Sequence, residues 1–330
     1  MKRMKKLTIA AGATVLAAVF GLAACNLATS GFGTITMPGE WPELPPSEPP
    51  PPALPPPPPS FSLENLQYND YWQWVVTDDD TVIITRYLGL PGHVDIPASL
   101  DGLPVASIGR PLVMPTFFQR PAVFAGMGVT SVSIPPGLPV IGAGAFMNTE
   151  LTHVYIPHGV TAIEIDAFAH NMRFSLASVS IPGSVTSIGH SAFRSSGLTG
   201  RLEIPYGVTS IAIAAFDDNR ISSLSLPASL THIGEIAFAG NPQLTSVVIP
   251  ASVTSIDNRA FNLSELQEVR FLGAISIDMV GSLNEMAPLG GALGIFHCAF
   301  PGNLREQAVD GYLSGTFTRS LGGDTWVRQP

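Results

Sequence analysis

The side chains best suited to chemistry concentrate in one short stretch, SVSIPGSVTSIGHSAF at positions 178–193. Ser184, Ser187 and Ser191 supply hydroxyl groups, and His190 supplies an imidazole that could act as their base. That chemistry would be nucleophilic acyl transfer, which needs the serine, the base and a third orienting group within hydrogen-bond reach. The alternative is that these polar residues only fill positions between buried ones.

Comparison with other stretches of the same chain favours the second interpretation. The position of His190 holds Ala143, Ile165, Ile213, Glu235 and Asn258 elsewhere, and that of Ser191 holds Gly144, Asp166, Ala214, Ile236 and Arg259. Such variation is typical of exposed positions that the fold does not dictate, and no Gly-x-Ser-x-Gly motif occurs. We therefore predict no catalytic residues, no enzyme and no cofactor.

Three further groups are candidates for metal binding. His153, Tyr155 and His158 form the tightest histidine group, but no third ligand is evident beside the imidazoles. The run Asp78-Asp79-Asp80 suits calcium or, more simply, a solvated hairpin turn. His297 and Cys298 would supply only two ligands, so a buried thiol is favoured at Cys298. The sequence predicts no metal site.

The opening stretch belongs to an internal repeat. An apolar residue followed by proline recurs at steps of 22, 25, 23, 22 and 23 residues from the second pair onward. The pairs are Ile96-Pro97, Ile134-Pro135, Ile156-Pro157, Ile181-Pro182, Ile204-Pro205, Leu226-Pro227 and Ile249-Pro250. Phenylalanine keeps the same period at Phe124, Phe146, Phe168, Phe193, Phe216, Phe238 and Phe261. A period this regular predicts a solenoid.

One repeat shows how its residues would fold. In LASVSIP at 176–182, Val179 and Ile181 alternate with serines, which indicates a half-buried strand. Pro182 cannot donate a hydrogen bond and ends that strand. Phe193 would then fill the far side of the coil. One repeat cannot bury its apolar side chains alone, so stacked neighbours must cover both of its faces.

LTSVVIPASVTSIDNRAF at 244–261 resembles the BspA-like, or treponemal-type, leucine-rich repeat, and the resemblance covers about 94–275. It implies a mainly β, right-handed, horseshoe-like solenoid with a parallel sheet on one face. Residues 71–89 resemble that family's β-hairpin N-terminal cap, and 300–319 its closing segment, part of a small α+β C-terminal cap. Trp72 and Trp74 are expected to cap one end and Trp326 the other; carbohydrate stacking is the alternative.

The repeats depart from ordinary leucine-rich repeats at one position. The usual asparagine is replaced by glycine or serine, at Gly137, Gly159, Ser184, Gly207, Ser229 and Ser252. We therefore expect the asparagine ladder of ordinary leucine-rich repeats to be absent.

The N-terminus predicts export. Four basic residues at 2–6 precede the uncharged run 7–24, the layout of a secretory signal. Leu22-Ala23-Ala24-Cys25 resembles the lipobox of bacterial lipoproteins, which implies cleavage before Cys25 and lipidation of that cysteine; an uncleaved anchor is the alternative. Asn26 is not the aspartate that often retains lipoproteins at the inner membrane, so we expect the outer membrane or cell surface.

These features divide the chain into five parts: a lipoprotein signal peptide at 1–24, a lipidated cysteine with a proline-rich tether at 25–60, an N-terminal cap at 61–93, leucine-rich repeats at 94–275, and a degenerate repeat with a C-terminal cap at 276–330. The proline run is expected to act as a stiff polyproline spacer rather than a ligand for a proline-binding module. Without the signal, 12 arginines stand against 25 acidic residues, a net charge of −13 that excludes nucleic acid as a partner.

The expected ligand-binding surface consists of the two outward positions of each main strand. We call it the ladder face: Ser131, Ser133, His153, Tyr155, Ser178, Ser180, Arg201, Glu203, Ser223, Ser225, Ser246, Val248, Glu268 and Arg270. A second candidate is the insertion at 110–121, through Phe117 and Phe118. What the resemblance implies is attachment to an unknown protein or glycan on a host, a matrix or a neighbouring cell. A structural role in the periplasm is the alternative, a glycan-active enzyme a remote one, and no oligomer is predicted.

Overall fold

The computed structural model describes residues 66–109, 122–171, 175–276, 309, 312–320 and 325–330. All of them lie in the second of two compact units, 1–55 and 56–330. They form 21 β-strands and no α-helix, which confirms the mainly β solenoid. Hence no helix in these ranges is long and apolar enough to cross a membrane. The predictions for Cys25, the tether, Phe117, Phe118 and Cys298 fall outside the described residues.

An antiparallel meander begins the described chain and continues into the solenoid. Strands β1 (Leu66–Tyr68), β2 (Trp72–Val76) and β3 (Val82–Tyr87) pair in order, and β3 pairs in parallel with β6 (Leu103–Ile108). Strand β5 (Ser99–Leu100) forms a small hairpin with β6. The loop between β2 and β3 is closed by a 2.9 Å hydrogen bond from the Thr77 N–H to the Thr81 carbonyl. The three aspartates 78–80 are exposed in this turn.

Each repeat contributes one main strand to the face that carries the outward serines. These strands are β4 (Gly92–Asp95), β7 (Val129–Ser133), β9 (His153–Tyr155), β11 (Ser178–Ser180), β13 (Thr199–Glu203), β15 (Arg220–Ser225), β17 (Ser246–Ile249) and β19 (Glu268–Ser276). Parallel ladders join β4 to β7, β9 to β11, β13 to β15 and β17 to β19. Two antiparallel strands, β20 (Tyr312–Thr318) and β21 (Val327–Arg328), follow β19.

A second parallel sheet runs along the other side of the coil. It joins the short strands β8 (Val140–Ile141), β10 (Ala162–Ile163), β12 (Ser187–Ile188), β14 (Ser210–Ile211), β16 (His232–Ile233) and β18 (Ser255–Ile256), with the isoleucines in register. Strands β1, β2, β3 and β6 extend it at one end. The resemblance implies a parallel sheet on one face, whereas the structure has parallel strands on two sides of the same core.

Seven phenylalanine rings form the axis of the core. They are Phe124, Phe146, Phe168, Phe193, Phe216, Phe238 and Phe261, all fully buried. Neighbouring ring centroids are 5.0–5.4 Å apart and the planes differ by 2–14°. The edge of Trp72 meets Phe124 at 6.1 Å, and Trp74 and Trp326 are also buried. These three tryptophans are therefore core residues and are not accessible for carbohydrate stacking.

A ladder of buried polar side chains follows the phenylalanines, at a position in the repeat different from the glycine and serine position where the asparagine ladder of ordinary leucine-rich repeats is expected to be absent. It occupies the third residue after each phenylalanine from Phe146 onward: Thr149, Asn171, Ser196, Asn219, Asn241 and Ser264, each at most 5% exposed. Asn241 Nδ2, for example, donates to the carbonyls of Phe216 and Phe238, at 3.0 and 2.9 Å. The turn after each phenylalanine leaves its carbonyl inside the coil, where a side chain must pair with it.

The backbone adopts the left-handed conformation two residues before each of the last six phenylalanines. Those residues are Gly144, Asp166, Ser191, Ala214, Ile236 and Arg259, with φ between 49° and 63°. Ser191 is only 3% exposed and Ala214 is fully buried. The prediction that these positions are exposed and not dictated by the fold is therefore wrong. Their residue types vary, but they share one backbone conformation and most of them are buried.

Replacing Ile236 with glycine is expected to relieve strain. Ile236 has φ 49°, a conformation that costs an L-residue about 1–2 kcal/mol and is worst for β-branched side chains. The matched control is Glu235→Gly, at a neighbouring residue without a positive φ. In urea unfolding, the Ile236→Gly protein should be more stable than the control by about 1–2 kcal/mol. Equal stabilities would show that the left-handed residue carries no strain.

Candidate ligand-binding face

The structure places the fourteen predicted residues on one side of the main strands. Twelve are exposed, and Ser131 and Ser225 are half-buried. Their orientation follows from the side chains between them, since Val154, Leu202 and Val247 are buried in the core. Pairing in register brings Ser178 beside His153 and Ser180 beside Tyr155. The ladder face is thus a continuous surface of alternate residues, as the repeat pattern predicts.

The first pair of this face was missed by the sequence reasoning. His93 and Asp95 on β4 pair in register with Ser131 and Ser133 on β7. The signal was present in HVDIP at 93–97, which has the same alternation as the other main strands. An insertion of 11 residues lies between this strand and the regular repeats, so the constant spacing that identifies the other main strands is lost here.

His93 organises a hydrogen-bonded cluster at that end of the face. Its Nδ1 lies 2.8 Å from Ser131 Oγ, and its Nε2 lies 3.0 Å from Ser133 Oγ and 3.1 Å from Asp95 Oδ1. Hydrogen bonds from Ser133 and His93 lower the pKa of Asp95. The cluster ties the first two strands of the ladder face together through their side chains.

A similar cluster lies on the second sheet, where His232 Nδ1 is 2.7 Å from Ser255 Oγ and Nε2 is 3.4 Å from Asp257 Oδ2. Both clusters contain the residue types of a serine–histidine–aspartate triad. The first cluster lies in solvent, with side-chain exposures of 52% and 81% for His93 and Asp95, and the second is half-exposed, with 36% and 45% for His232 and Asp257. Activation of a serine relies on preorganised dipoles in a site that excludes water. In both clusters the histidine contacts a serine of the neighbouring strand, so these side chains stabilise the pairing of the strands.

The polar residues of the opening stretch are not brought together into a site. Ser184 Oγ donates to the Val160 carbonyl at 2.8 Å and accepts from the Gly159 N–H at 3.1 Å, so it joins two turns of the coil. Ser191 is buried in its left-handed turn, whereas Ser187 and His190 are exposed. Among the described residues, no group of three or more His, Cys, Asp or Glu could hold a metal ion.

One carboxylate has an unusual environment on the far side of the coil. Glu164 Oε2 accepts a 3.1 Å hydrogen bond from the Ala143 N–H. Burial raises the pKa of Glu164, and that hydrogen bond opposes the shift. The adjacent turn carries Gly189, where a Cβ atom would come within 2.8 Å of the Glu164 carbonyl carbon. Glycine there is what allows the Glu164 strand to approach so closely.

Replacing Glu164 with glutamine is expected to raise the melting temperature at pH 7. Because the folded pKa is above the unfolded value of 4.5, the folded state binds the proton more tightly. The free energy of unfolding therefore falls as pH rises from 4.5 through the folded pKa, and neutral glutamine removes this loss. Glu235→Gln, at an exposed position, is the control. A lower melting temperature for Glu164→Gln at pH 7 would show that the charged form is favoured.

One parallel strand per turn on two sides of a core, with aligned side-chain columns, defines a β-solenoid of the leucine-rich-repeat class, with about eight turns. The family described as BspA type Leucine rich repeat region matches residues 120–200 and 171–279, with six copies. Residues 120–279 therefore carry leucine-rich repeats of the BspA type.

Solved structures agree with this assignment. A leucine rich cell surface protein from Faecalibacterium prausnitzii is 31% identical, with 65% of this chain and 57% of that chain covered and a TM-score of 0.53. A leucine-rich repeat protein from Bacteroides ovatus is 27% identical, with coverages of 62% and 53% and a TM-score of 0.53. The chain therefore spans little more than half the length of these two relatives. No curated protein matches it.

Proposed function

We propose that this chain is a cell-envelope lipoprotein that displays its solenoid as a non-catalytic binding module for adhesion or protein–protein interaction. The observation that carries the proposal is the ladder face, a continuous surface of side chains that the core does not use. Membership of the leucine-rich-repeat class supports an interaction module. Glycoside hydrolysis requires two carboxyl groups on either side of the scissile bond. The residues of the ladder face do not place such a pair in a cleft.

Export and anchoring rest on the N-terminal sequence. The basic start, the apolar run and Leu22-Ala23-Ala24-Cys25 support a signal peptide and a lipidated cysteine. Surface display is supported by the description of the Faecalibacterium prausnitzii relative as a cell surface protein. Palmitate labelling should disappear in Cys25→Ala, and unchanged labelling would overturn the anchor. Protease treatment of intact cells should cleave the solenoid; full protection would favour a periplasmic role.

Binding through the ladder face is tested with paired tyrosine variants. Tyr155 on this face is 71% exposed, and Tyr68 on the N-terminal meander is 76% exposed, so they are matched in type and exposure. With a partner captured from a protein and glycan array, the double variant Tyr155→Ala, Arg201→Ala should weaken affinity about tenfold or more, since tyrosine and arginine dominate binding energy. Tyr68→Ala should leave affinity unchanged. If the double variant binds as tightly as the parent, the ladder face is the wrong surface.

A further inference from the structure

Small and bulky side chains alternate from turn to turn in the middle of the ladder face. The turn that contains β11 presents only small residues there: Ser178 and Ser180 on the strand, and Gly183 just after it. A Cβ atom at Gly183 would meet nothing closer than the Tyr206 carbonyl at 4.0 Å, so the space above it is open. These three residues form the floor of a shallow trough that runs along β11.

The two neighbouring turns supply the walls of this trough. One wall carries His153 and Tyr155 on β9, with His158 in the turn beyond, all exposed. The opposite wall carries Arg201 and Glu203 on β13, with Tyr206 in the turn beyond. The phenylalanine rings of successive turns here are 5.0 and 5.3 Å apart, so the walls stand about 10 Å apart at the backbone.

Tyrosine is present on both walls, and both rings reach into solvent. Tyr155 is 71% exposed and Tyr206 is 75% exposed, which places two apolar ring surfaces beside a floor of hydroxyl groups. Among the described residues of the repeats, Tyr155 and Tyr206 are the exposed aromatic side chains, and they flank the same trough. Aromatic rings with a wet polar end are favoured where a ligand is both apolar and hydrogen-bonding.

The dimensions and the backbone pairing restrict what can occupy the trough. An α-helix with its side chains is about 10–12 Å across, too wide to descend between the walls. A peptide strand cannot add to either edge of the floor strand, because β9 pairs with one edge of β11 and β13 lies along the other with Cα atoms within 8 Å, which leaves no room for a further strand. Strand addition requires a free edge. The ligand must therefore be read by side chains.

The charges of the trough favour a neutral ligand. Arg201 Nη2 lies 3.8 Å from Glu203 Oε2, so the two charges on that wall offset each other. The pair is exposed, at 66% and 73%, which leaves both groups able to bind a ligand. A guanidinium, a carboxylate and two serine hydroxyls together donate to and accept from hydroxyl groups. The floor between the tyrosines carries no apolar side chain, whereas the buried centre of a protein–protein interface is more apolar than its rim.

We infer that the trough binds a neutral oligosaccharide chain, which lies along β11 between Tyr155 and Tyr206. The tyrosine rings pack against sugar rings, while the serines, Arg201 and Glu203 bind sugar hydroxyls. This inference rests on the proposed binding function and names its ligand class. A single open trough gives modest affinity, and many copies on one cell multiply it.

The test is binding of the full chain, in detergent solution, to an array of neutral oligosaccharides, followed by titration calorimetry with the best neutral tetrasaccharide. Tyr155→Ala and Tyr206→Ala should each weaken binding about tenfold. Ser180→Tyr fills the floor and should abolish binding. The matched variant Ser210→Tyr, at an exposed serine of β14 on the second sheet, should leave binding intact, and so should Tyr68→Ala. Circular dichroism confirms that each variant is folded.

Three results would overturn the inference: no neutral oligosaccharide is bound, only anionic oligosaccharides are bound, or Ser180→Tyr and Ser210→Tyr bind equally. The wider proposal is judged separately. If a protein ligand from the array binds and is lost in Tyr155→Ala, the ladder face remains a binding surface and only the saccharide assignment fails. If neither class of ligand binds, both proposals fail.

Discussion

Replacing Phe193 with alanine is expected to lower the free energy of unfolding by about 3–5 kcal/mol. The ring is fully buried between Phe168 and Phe216, with centroids 5.0 and 5.3 Å away and planes within 4°. The cavity left behind cannot collapse along the axis, because strand pairing on two sides of the coil holds the spacing of the turns. Urea unfolding monitored by circular dichroism measures the loss.

The same variant tests how the solenoid transmits stability. Each turn contacts mainly its neighbours, so a weakened central turn should uncouple the two halves and broaden the unfolding transition. Phe193→Leu keeps most of the volume and should cost less than Phe193→Ala, while Ser178→Ala on the surface should change stability by less than about 0.5 kcal/mol. A loss in Phe193→Ala no larger than in Phe193→Leu would contradict a tightly packed stack.

Replacing Asn219 with leucine is expected to cost about 3–5 kcal/mol, because each buried backbone group left unpaired costs about 1–3 kcal/mol. Its Nδ2 donates to the carbonyls of Phe193, Phe216 and Asp217 at 2.8, 3.1 and 3.2 Å. Its Oδ1 accepts from the N–H groups of Gly197 and Leu198 at 2.9 and 3.0 Å. Leucine has similar volume but pairs with none of them.

The chain itself supplies the graded control for this position. Ser196 occupies the equivalent place one turn earlier, where its hydroxyl donates to the Phe168 carbonyl at 2.7 Å. Asn219→Ser should therefore retain one bond and lose less stability than Asn219→Leu. Denaturant unfolding of both variants gives the comparison. If the leucine variant were as stable as the parent, the side chains of the ladder would stabilise the fold by packing rather than by hydrogen bonding.

Much of the fold follows from periodicity in the sequence. Seven phenylalanines at nearly constant spacing predict one buried ring per turn, and the structure stacks all seven. Alternation in each main strand predicts which side chains face out, and His153 and Tyr155 do so on either side of buried Val154. These predictions succeed because a side chain's direction in a strand depends only on its position along the chain.

The sequence contains the signal for this polar ladder, at a position other than that of the asparagine ladder of ordinary leucine-rich repeats. Asn171, Asn219 and Asn241 share their position with serines and a threonine, so a column of small hydrogen-bonding residues is visible in the sequence. Its role depends on where the carbonyls of the preceding phenylalanines point, which residue types do not reveal. The left-handed residues were hidden for a related reason, since Ile236 and Arg259 give no hint of a positive φ.

The sequence alone determined the period, the core columns and the outward residues of the ladder face, because each of these depends on local alternation repeated at a constant step. Only the tertiary structure decided which turns are neighbours in register and how far apart they stand. Tyr155 and Tyr206 lie in different repeats, and the small turn between them becomes the floor of a trough only when three coils stack. Successive turns are only about 5 Å apart, as measured along the phenylalanine stack. Three stretches that are separate in the sequence therefore lie side by side and form one candidate site.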